Sequence, residues 1–245
     1  MAEAGDQWWK EWFDTPYYHE LYQHRDDTEA QQFIRALIKE LRPGNDWQFL
    51  DLACGRGRHA VYLHQQGYRV HGIDISPANI TYARRFADET LSFEVGDMRE
   101  SMGEERYQCI LNLFTSFGYF DRWEENQKAC RAIAQALKPA GVFVLDFLNA
   151  ASLSEELKKK DRVATAQRIF HIEKQIREGQ IVKDIHFKTE KGEQHFREQV
   201  QLLKLIDFET LFAKAGLKIK SLYGDYDLNP YRGDESERLI ILATK

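Results

Sequence analysis

Three carboxylates, each at the end of an apolar run, are the residues most suited to chemistry. Asp51 lies inside the end of the run Phe49–Leu52, Asp74 follows Val70 and Ile73, and Asp97 follows the run in FEVGDM. Between the first two acids lies the turn Ala53-Cys54-Gly55-Arg56-Gly57. Gly55 and Gly57 let the backbone approach a ligand where a Cβ would collide, and a helix opening at Gly57 presents unpaired amides to an anion. Asp74, at the tip of a second strand, is placed to take both hydroxyls of a ribose. The chemistry implied is capture of an adenosine ligand at the carboxyl ends of parallel strands. Packing roles compete: Asp51 as a turn cap, Asp97 as the start of a loop, Gly-Arg-Gly as a tight connection. Gly55, Gly57 and Ala60 also satisfy the dinucleotide pattern G-x-G-x-x-G/A with an acid about twenty residues on. The glycines alone do not decide, but one acid at each of three strand ends favours the single-adenosine reading.

The elements that must position these acids alternate strand and helix. A helix from Thr28, with Gln31 completing a capping box and Ala30, Phe33, Ile34, Leu37, Ile38 and Leu41 on one face, ends at Pro43-Gly44. Strands at Phe49–Leu52, Val70–Ile73 and LSFEVGD follow, with a helix after Ser76-Pro77. YQCILNLF is apolar enough to be a fourth strand buried on both faces. Asp121 and Glu124 then open a helix that Lys138-Pro139-Ala140-Gly141 stops, and GVFVLDFLN is the fifth strand, with Asp146 and Asn149 as substrate ligands or loop caps. This order predicts an α/β fold with a doubly wound, mostly parallel sheet. Residues 163–203 alternate apolar and polar residues, broken at Glu178-Gly179 and Lys191-Gly192, which predicts a small antiparallel β insertion of three strands before a helix over Asp207–Ala215. DYDLNPYRGDESE, near the C-terminus, is a polar loop suited to carrying specificity.

The 245 residues fit a single domain, 1–245, and a net charge of −5 gives no general pull toward nucleic acid or anionic membrane. No run is long enough to span a bilayer, and MAEAGDQWW lacks the form of a leader, so a cytoplasmic protein is expected. Cys54, Cys109 and Cys130 lack metal-ligand spacing and are expected as free thiols. His171, His186 and His195 fall on separate strands and read as solvated strand faces, so no metal is expected. Residues 7–24 hold three of the five tryptophans, an aromatic surface that must pack on the domain or fold over a ligand.

DLACGRG resembles the first motif of the class I S-adenosylmethionine-dependent methyltransferases of the small-molecule type, and the resemblance covers residues 45–150 well. It implies a Rossmann-like fold closed by an antiparallel pair from LKIKSLYG and RLIILATK. It also implies that Asp51, Ala53, Gly55 and Gly57 hold the methionine part of S-adenosyl-L-methionine, Asp74 its ribose and Asp97 the adenine amine, with Ile75 and Met98 bordering the ring. Residues 1–44 would form an aromatic helical lid bringing Tyr18, Tyr22 and Arg25 to the methionine end. Asn112, Leu113 and Phe114 would lie along the methionine chain, and Ser116, Phe117 and Tyr119 would face the substrate. The N/D-P-P-Y box of family members acting on DNA bases or glutamine is absent here, which weakens both acceptors. The expected reaction is in-line transfer to a small-molecule acceptor, releasing S-adenosyl-L-homocysteine, with His19 or Tyr119 as base if one is used. The insertion would either cover the mouth of the site or pair two copies of the chain. An NAD-dependent oxidoreductase is the alternative enzyme, though no Tyr-x-x-x-Lys pair supports it, and a non-catalytic cofactor-binding subunit is the alternative without turnover.

Overall fold

The structure, a computed structural model, describes residues 8–22, 27–153 and 157–245, which fall into two compact units. The larger comprises Asp26–Phe117, Arg122–Ser152 and Leu203–Lys245. It holds helices α3 (Asp27–Leu41), α4 (Arg58–Gln65), α5 (Pro77–Ala83), α6 (Trp123–Ala136) and α7 (Leu205–Ala215). Its strands are β1 (Gln48–Leu52), β2 (Arg69–Asp74), β3 (Leu91–Val95), β4 (Tyr107–Asn112), β5 (Leu137–Leu148), β10 (Lys218–Tyr223) and β11 (Arg238–Thr244).

These strands form one sheet in the order β10-β11-β5-β4-β1-β2-β3. β1 to β5 pair in parallel, while β11 runs antiparallel to β5 and β10. The order reverses between β1 and β4, so their carboxyl ends flank the crevice where doubly wound sheets bind ligands. Apolar residues on both faces of β1 and β4 make this the centre of the core: Phe49, Cys109 and Leu111 pack with Phe33, Ile34 and Leu37 of α3 and Leu63 of α4. All three cysteines are buried and free of disulfides.

Local chemistry explains the boundaries. Ser76 Oγ accepts from Asn79 N at 3.1 Å and Pro77 occupies the first turn of α5, as the sequence predicts. Two of the boundaries expected in this unit need correction. The residue at the N-cap of α6 is Arg122 rather than Asp121, and it makes no side-chain cap bond. Lys138-Pro139-Ala140-Gly141 belongs to β5, which starts at Leu137 directly after the helix and takes Ala140 through φ 60°.

The smaller unit comprises Met1–Arg25, Gly118–Asp121 and Leu153–Leu202. Its sheet has four strands, not three: β6 (Lys158–Ala164), β7 (Ile169–Arg177), β8 (Gln180–Thr189) and β9 (Gly192–Gln201), paired antiparallel in that order. β6 is rich in charge and mostly exposed, so its alternation carries little apolar signal. Two short helices, α1 (Trp8–Phe13) and α2 (Pro16–Leu21), cover the apolar face. Trp12 lies on Phe196 with ring centres 4.6 Å apart, and Tyr17 on Phe187 at 4.8 Å. The other face carries His171, His186 and His195 at directly opposed positions on β7, β8 and β9, the last two rings stacked at 4.3 Å. Among the described residues, no group of His, Cys, Asp or Glu is arranged to hold a metal ion.

Candidate active site

The turn after β1 gathers the first set of predicted residues. Ala53, Gly55 and Gly57 all take positive φ, at 62°, 55° and 84°. Gly57 is the N-cap of α4, and a Cβ there would lie 2.9 Å from the Phe93 ring. A Cβ on Gly55 would meet nothing within 4 Å. Gly57 is therefore required by packing, whereas Gly55 borders open space.

Asp51 is only 1 % exposed, and its Oδ2 accepts from Ala60 N at 3.1 Å in the first turn of α4. Burial pushes its carboxyl up to about 7; the Ala60 amide opposes this and Asp74 adds to it. Asp74, at the tip of β2, accepts from Gly55 N at 2.8 Å and Ser76 N at 2.9 Å, and from Asn79 Nδ2 at 3.3 Å. The first two strand tips are thus tied through a loop amide and a carboxylate. Asn79 is 2 % exposed, and its Oδ1 has no partner.

Ile75 and Met98 are half-buried where β2 and β3 end. Asp97 is engaged by its neighbour: Oδ1 accepts from Arg99 N and Nε, both at 2.9 Å, and Oδ2 from Nε at 3.2 Å and Nη2 at 2.5 Å. Arg99 also pairs with Glu125 of α6. An adenine amine at Asp97 would share a carboxylate that already has these four contacts.

The tip of β4 joins the same edge. Asn112, fully buried, donates from Nδ2 to the carbonyls of Leu52 at 3.1 Å and Ser116 at 3.3 Å, while its Oδ1 has no partner. Leu113 is buried, and Ser116 Oγ donates to the Leu113 carbonyl at 2.7 Å. Phe117 belongs to the core, its ring 6.0 Å from that of Phe208. His59, near the start of α4, lies 5.1 Å from the Phe114 ring; burial and then Arg58 push its pKa down to about 3, so it is neutral, and its Nε2 has no partner.

Tyr18, Tyr22, His19 and Tyr119 all lie in the smaller unit, and Arg25 is outside the described residues. Rings connect three of them: Tyr119 to Phe13 at 5.4 Å, Phe13 to Tyr18 at 4.9 Å, Tyr18 to His19 at 5.3 Å. The Tyr22 hydroxyl donates to Glu198 at 2.8 Å and accepts from Lys183 Nζ at 3.0 Å. Glu198 also accepts from Trp12 Nε1 at 2.8 Å. Burial opposes its charge, but Lys183 and these donors hold its pKa below the usual carboxylate value.

The sequence suggests Asp146 as a substrate ligand or loop cap at the end of β5 and assigns no role to Arg238 or Tyr226. In the structure Asp146 is fully buried and paired with Arg238, Nη2 to Oδ1 at 2.7 Å. The available signal was a charged residue inside GVFVLDFLN and another opening RLIILATK, since a charge buried in such strands requires a partner.

A family model described as a methyltransferase domain matches residues 49–141. A dTDP-3-amino-3,4,6-trideoxy-α-D-glucopyranose N,N-dimethyltransferase from Streptomyces venezuelae is 30 % identical over 190 residues, covering 71 % of this chain and 77 % of that one. Cypemycin N-terminal methyltransferase from a Streptomyces species is 25 % identical, covering 84 % and 87 %. Among solved structures, the amino pentose methyltransferase CalS10 from Micromonospora echinaspora, with S-adenosylmethionine bound, has a TM-score of 0.71 at 20 % identity, covering 94 % and 97 %; at that identity the likeness speaks for the fold. The chain belongs to the S-adenosylmethionine-dependent methyltransferases. It is an enzyme using S-adenosylmethionine, which sets aside the nicotinamide and non-catalytic readings.

The residues present fit this cofactor. Open space faces Gly55, and two buried acceptors have no partner: Asn79 Oδ1 in the first turn of α5 and Asn112 Oδ1 at the end of β4. The Asp74 carboxylate stands beside the glycine turn.

Proposed function

We propose that this enzyme methylates an amine on a small-molecule acceptor, with an amino sugar as the favoured class. S-adenosylmethionine supplies the methyl group on a sulfonium, which an amine attacks in line. One observation carries the site assignment: Gly55 N on Asp74 and Asn112 Nδ2 on the Leu52 carbonyl bring three strand tips together around the glycine turn.

In this reading Asp74 accepts the ribose hydroxyls, while Ile75 and Met98 border the adenine and Asp97 orients it from its bond to Arg99. Asp51, Ala53, Gly55 and Gly57 receive the methionine end with Asn112 and Leu113. Asp51, once ionised, balances the cationic ligand. Ser116 stays at the substrate side, and the buried position of Phe117 favours packing instead. The aromatic helices α1 and α2 and the four-stranded insertion supply acceptor-binding groups, Tyr18, Tyr22 and Arg25 among them; pairing of two chains through the insertion is the other use of that sheet. Positioning of the acceptor can supply about 7 to 11 kcal/mol of the barrier, so a neutral amine needs no dedicated base, and His19 or Tyr119 has an orienting role. The amine is supported by two relatives whose names are amino-sugar N,N-dimethyltransferases, including one from Streptomyces fradiae. Buried, unbonded cysteines suit action in the cytoplasm, and no described helix is long and apolar enough to cross a membrane.

Two measurements test this in sequence. S-adenosylhomocysteine at about a hundred times its Kd should raise the unfolding midpoint by roughly 5 to 10 °C. Labelled S-adenosylmethionine should then transfer its methyl group to a dTDP-3-amino sugar. A thermal shift without transfer to any amino sugar, but with transfer to a phenol or carboxylate, would overturn the amine assignment.

A further inference from the structure

Phe114 and Thr115, directly after β4, both take left-handed backbone, at φ 58° and 60°. Neither is a residue that adopts it readily, and each costs on the order of 1 kcal/mol or more there. Hydrogen bonds to one distant residue hold them: Phe114 N donates to Asp146 Oδ2 at 2.8 Å, and Thr115 N donates to the Asp146 carbonyl at 2.9 Å. Arg238 donates from Nη2 to Thr115 Oγ1 at 2.9 Å and from Nε to Asp146 Oδ1 at 2.8 Å. Tyr226 OH donates to Asp146 Oδ2 at 3.3 Å.

Tyr226 makes a second link through its ring. One side contacts Phe33 of α3, with centres 4.6 Å apart, and another stacks on Phe114 at 5.2 Å. Phe114 also contacts His59 at 5.1 Å and has the Arg58 guanidinium over its ring at 4.8 Å. The loop carrying Tyr226 is itself fixed: Asp225 accepts from Asn229 Nδ2 at 2.8 Å, and Gln32 donates to Asp227 at 2.5 Å. A column thus runs from the loop after β10, through Phe114, to the helix that begins at the glycine turn.

We propose that Tyr226, Asp146 and Arg238 form a positioning assembly for methyl transfer, fixing Asn112–Ser116 against the methionine end of the cofactor. This rests on the assignment of Asn112 and Leu113 to that end. None of the three is a catalytic residue; they act through Phe114 and Thr115.

A calorimetric comparison of two probes tests the assembly. S-adenosylhomocysteine carries the amino-acid end, and 5′-methylthioadenosine keeps the adenosine and thioether without it. Tyr226→Leu should weaken S-adenosylhomocysteine roughly tenfold and 5′-methylthioadenosine less than about twofold, because only one probe uses the fixed turn. Tyr226→Phe, which keeps the ring, should show the same selectivity at about threefold, and decides the matter should Tyr226→Leu not fold. Equal loss on both probes, or no loss on S-adenosylhomocysteine, would overturn the proposal. Asn112→Ala separates it from the reading beneath: selective loss there with silent Tyr226 variants removes only the assembly, whereas no selective loss in any variant removes both.

Discussion

The turns after β1 and β4 both leave a parallel strand through left-handed backbone on the same edge of the sheet, yet different means hold them there. After β1 glycine carries two of the three positive-φ positions, and the remaining one is Ala53. After β4 the positions are Phe114 and Thr115, and the buried pair Asp146–Arg238 opposes their strain from two other strands. The first turn is local chemistry and the second is tertiary chemistry. Breaking each should therefore fail differently: the glycine turn through its own backbone, the β4 turn through residues far along the chain.

The largest effect should come from Arg238→Met. It leaves the fully buried Asp146 carboxylate without its cation, a change that typically costs about 3 to 5 kcal/mol. Denaturant unfolding should show a loss of that size, and a loss under about 1 kcal/mol would mean the pair does not restrain the turn. Gly57→Ala should follow, at about 2 to 4 kcal/mol, from left-handed strain together with a Cβ 2.9 Å from the buried Phe93 ring. The double variant Gly57→Ala/Phe93→Leu should recover part of that loss; no recovery would assign the whole cost to the backbone.

The same contrast explains what could be read from the sequence. Gly55, Gly57, Asp74 and Ser76-Pro77 state their conformations in their own residue types, so the first βαβ unit and its acids were legible. The parallel sheet was legible because β1 and β4 are apolar on both faces. Asp146, Arg238 and Tyr226 act on a turn distant in sequence, and no local pattern links them. β6 escapes the sequence because charged residues on an exposed strand leave little apolar alternation, and Lys138-Pro139-Ala140-Gly141, expected as a helix stop, lies inside β5 because the chain passes straight from α6 into the strand.

Protonation sharpens the comparison within the glycine turn. Asp51 has its pKa raised by burial from the ordinary 3.8 to about 7. The native state therefore holds its proton more tightly than the unfolded chain. Its stabilising contribution is complete below the unfolded value and is lost as pH rises through about 7. The α-ammonium group of the ligand's amino-acid end favours the carboxylate, so binding acts in the opposite direction. S-adenosylhomocysteine affinity should rise by up to about tenfold per pH unit below 7 and level off above it, with proton release seen by calorimetry in two buffers. Asp51→Asn should flatten the profile; a wild-type profile already flat between pH 6 and 8 would remove Asp51 from the ligand's charge balance.

The smallest effect on the fold should come from Gly55→Ala, the counterpart of Gly57→Ala in the same turn. Its φ of 55° costs an alanine about 1 kcal/mol, and the new Cβ meets nothing within 4 Å. Packing therefore gives no reason for a larger loss of stability. If that open space is where the methionine end of the cofactor sits, the methyl group will occupy it, and affinity for S-adenosylhomocysteine should fall much more than stability. Thermal unfolding and calorimetry on this one variant separate the two roles of the turn. A small midpoint change with affinity lost would mark Gly55 as the ligand's glycine and Gly57 as the fold's, whereas affinity retained would place the ligand elsewhere along the edge.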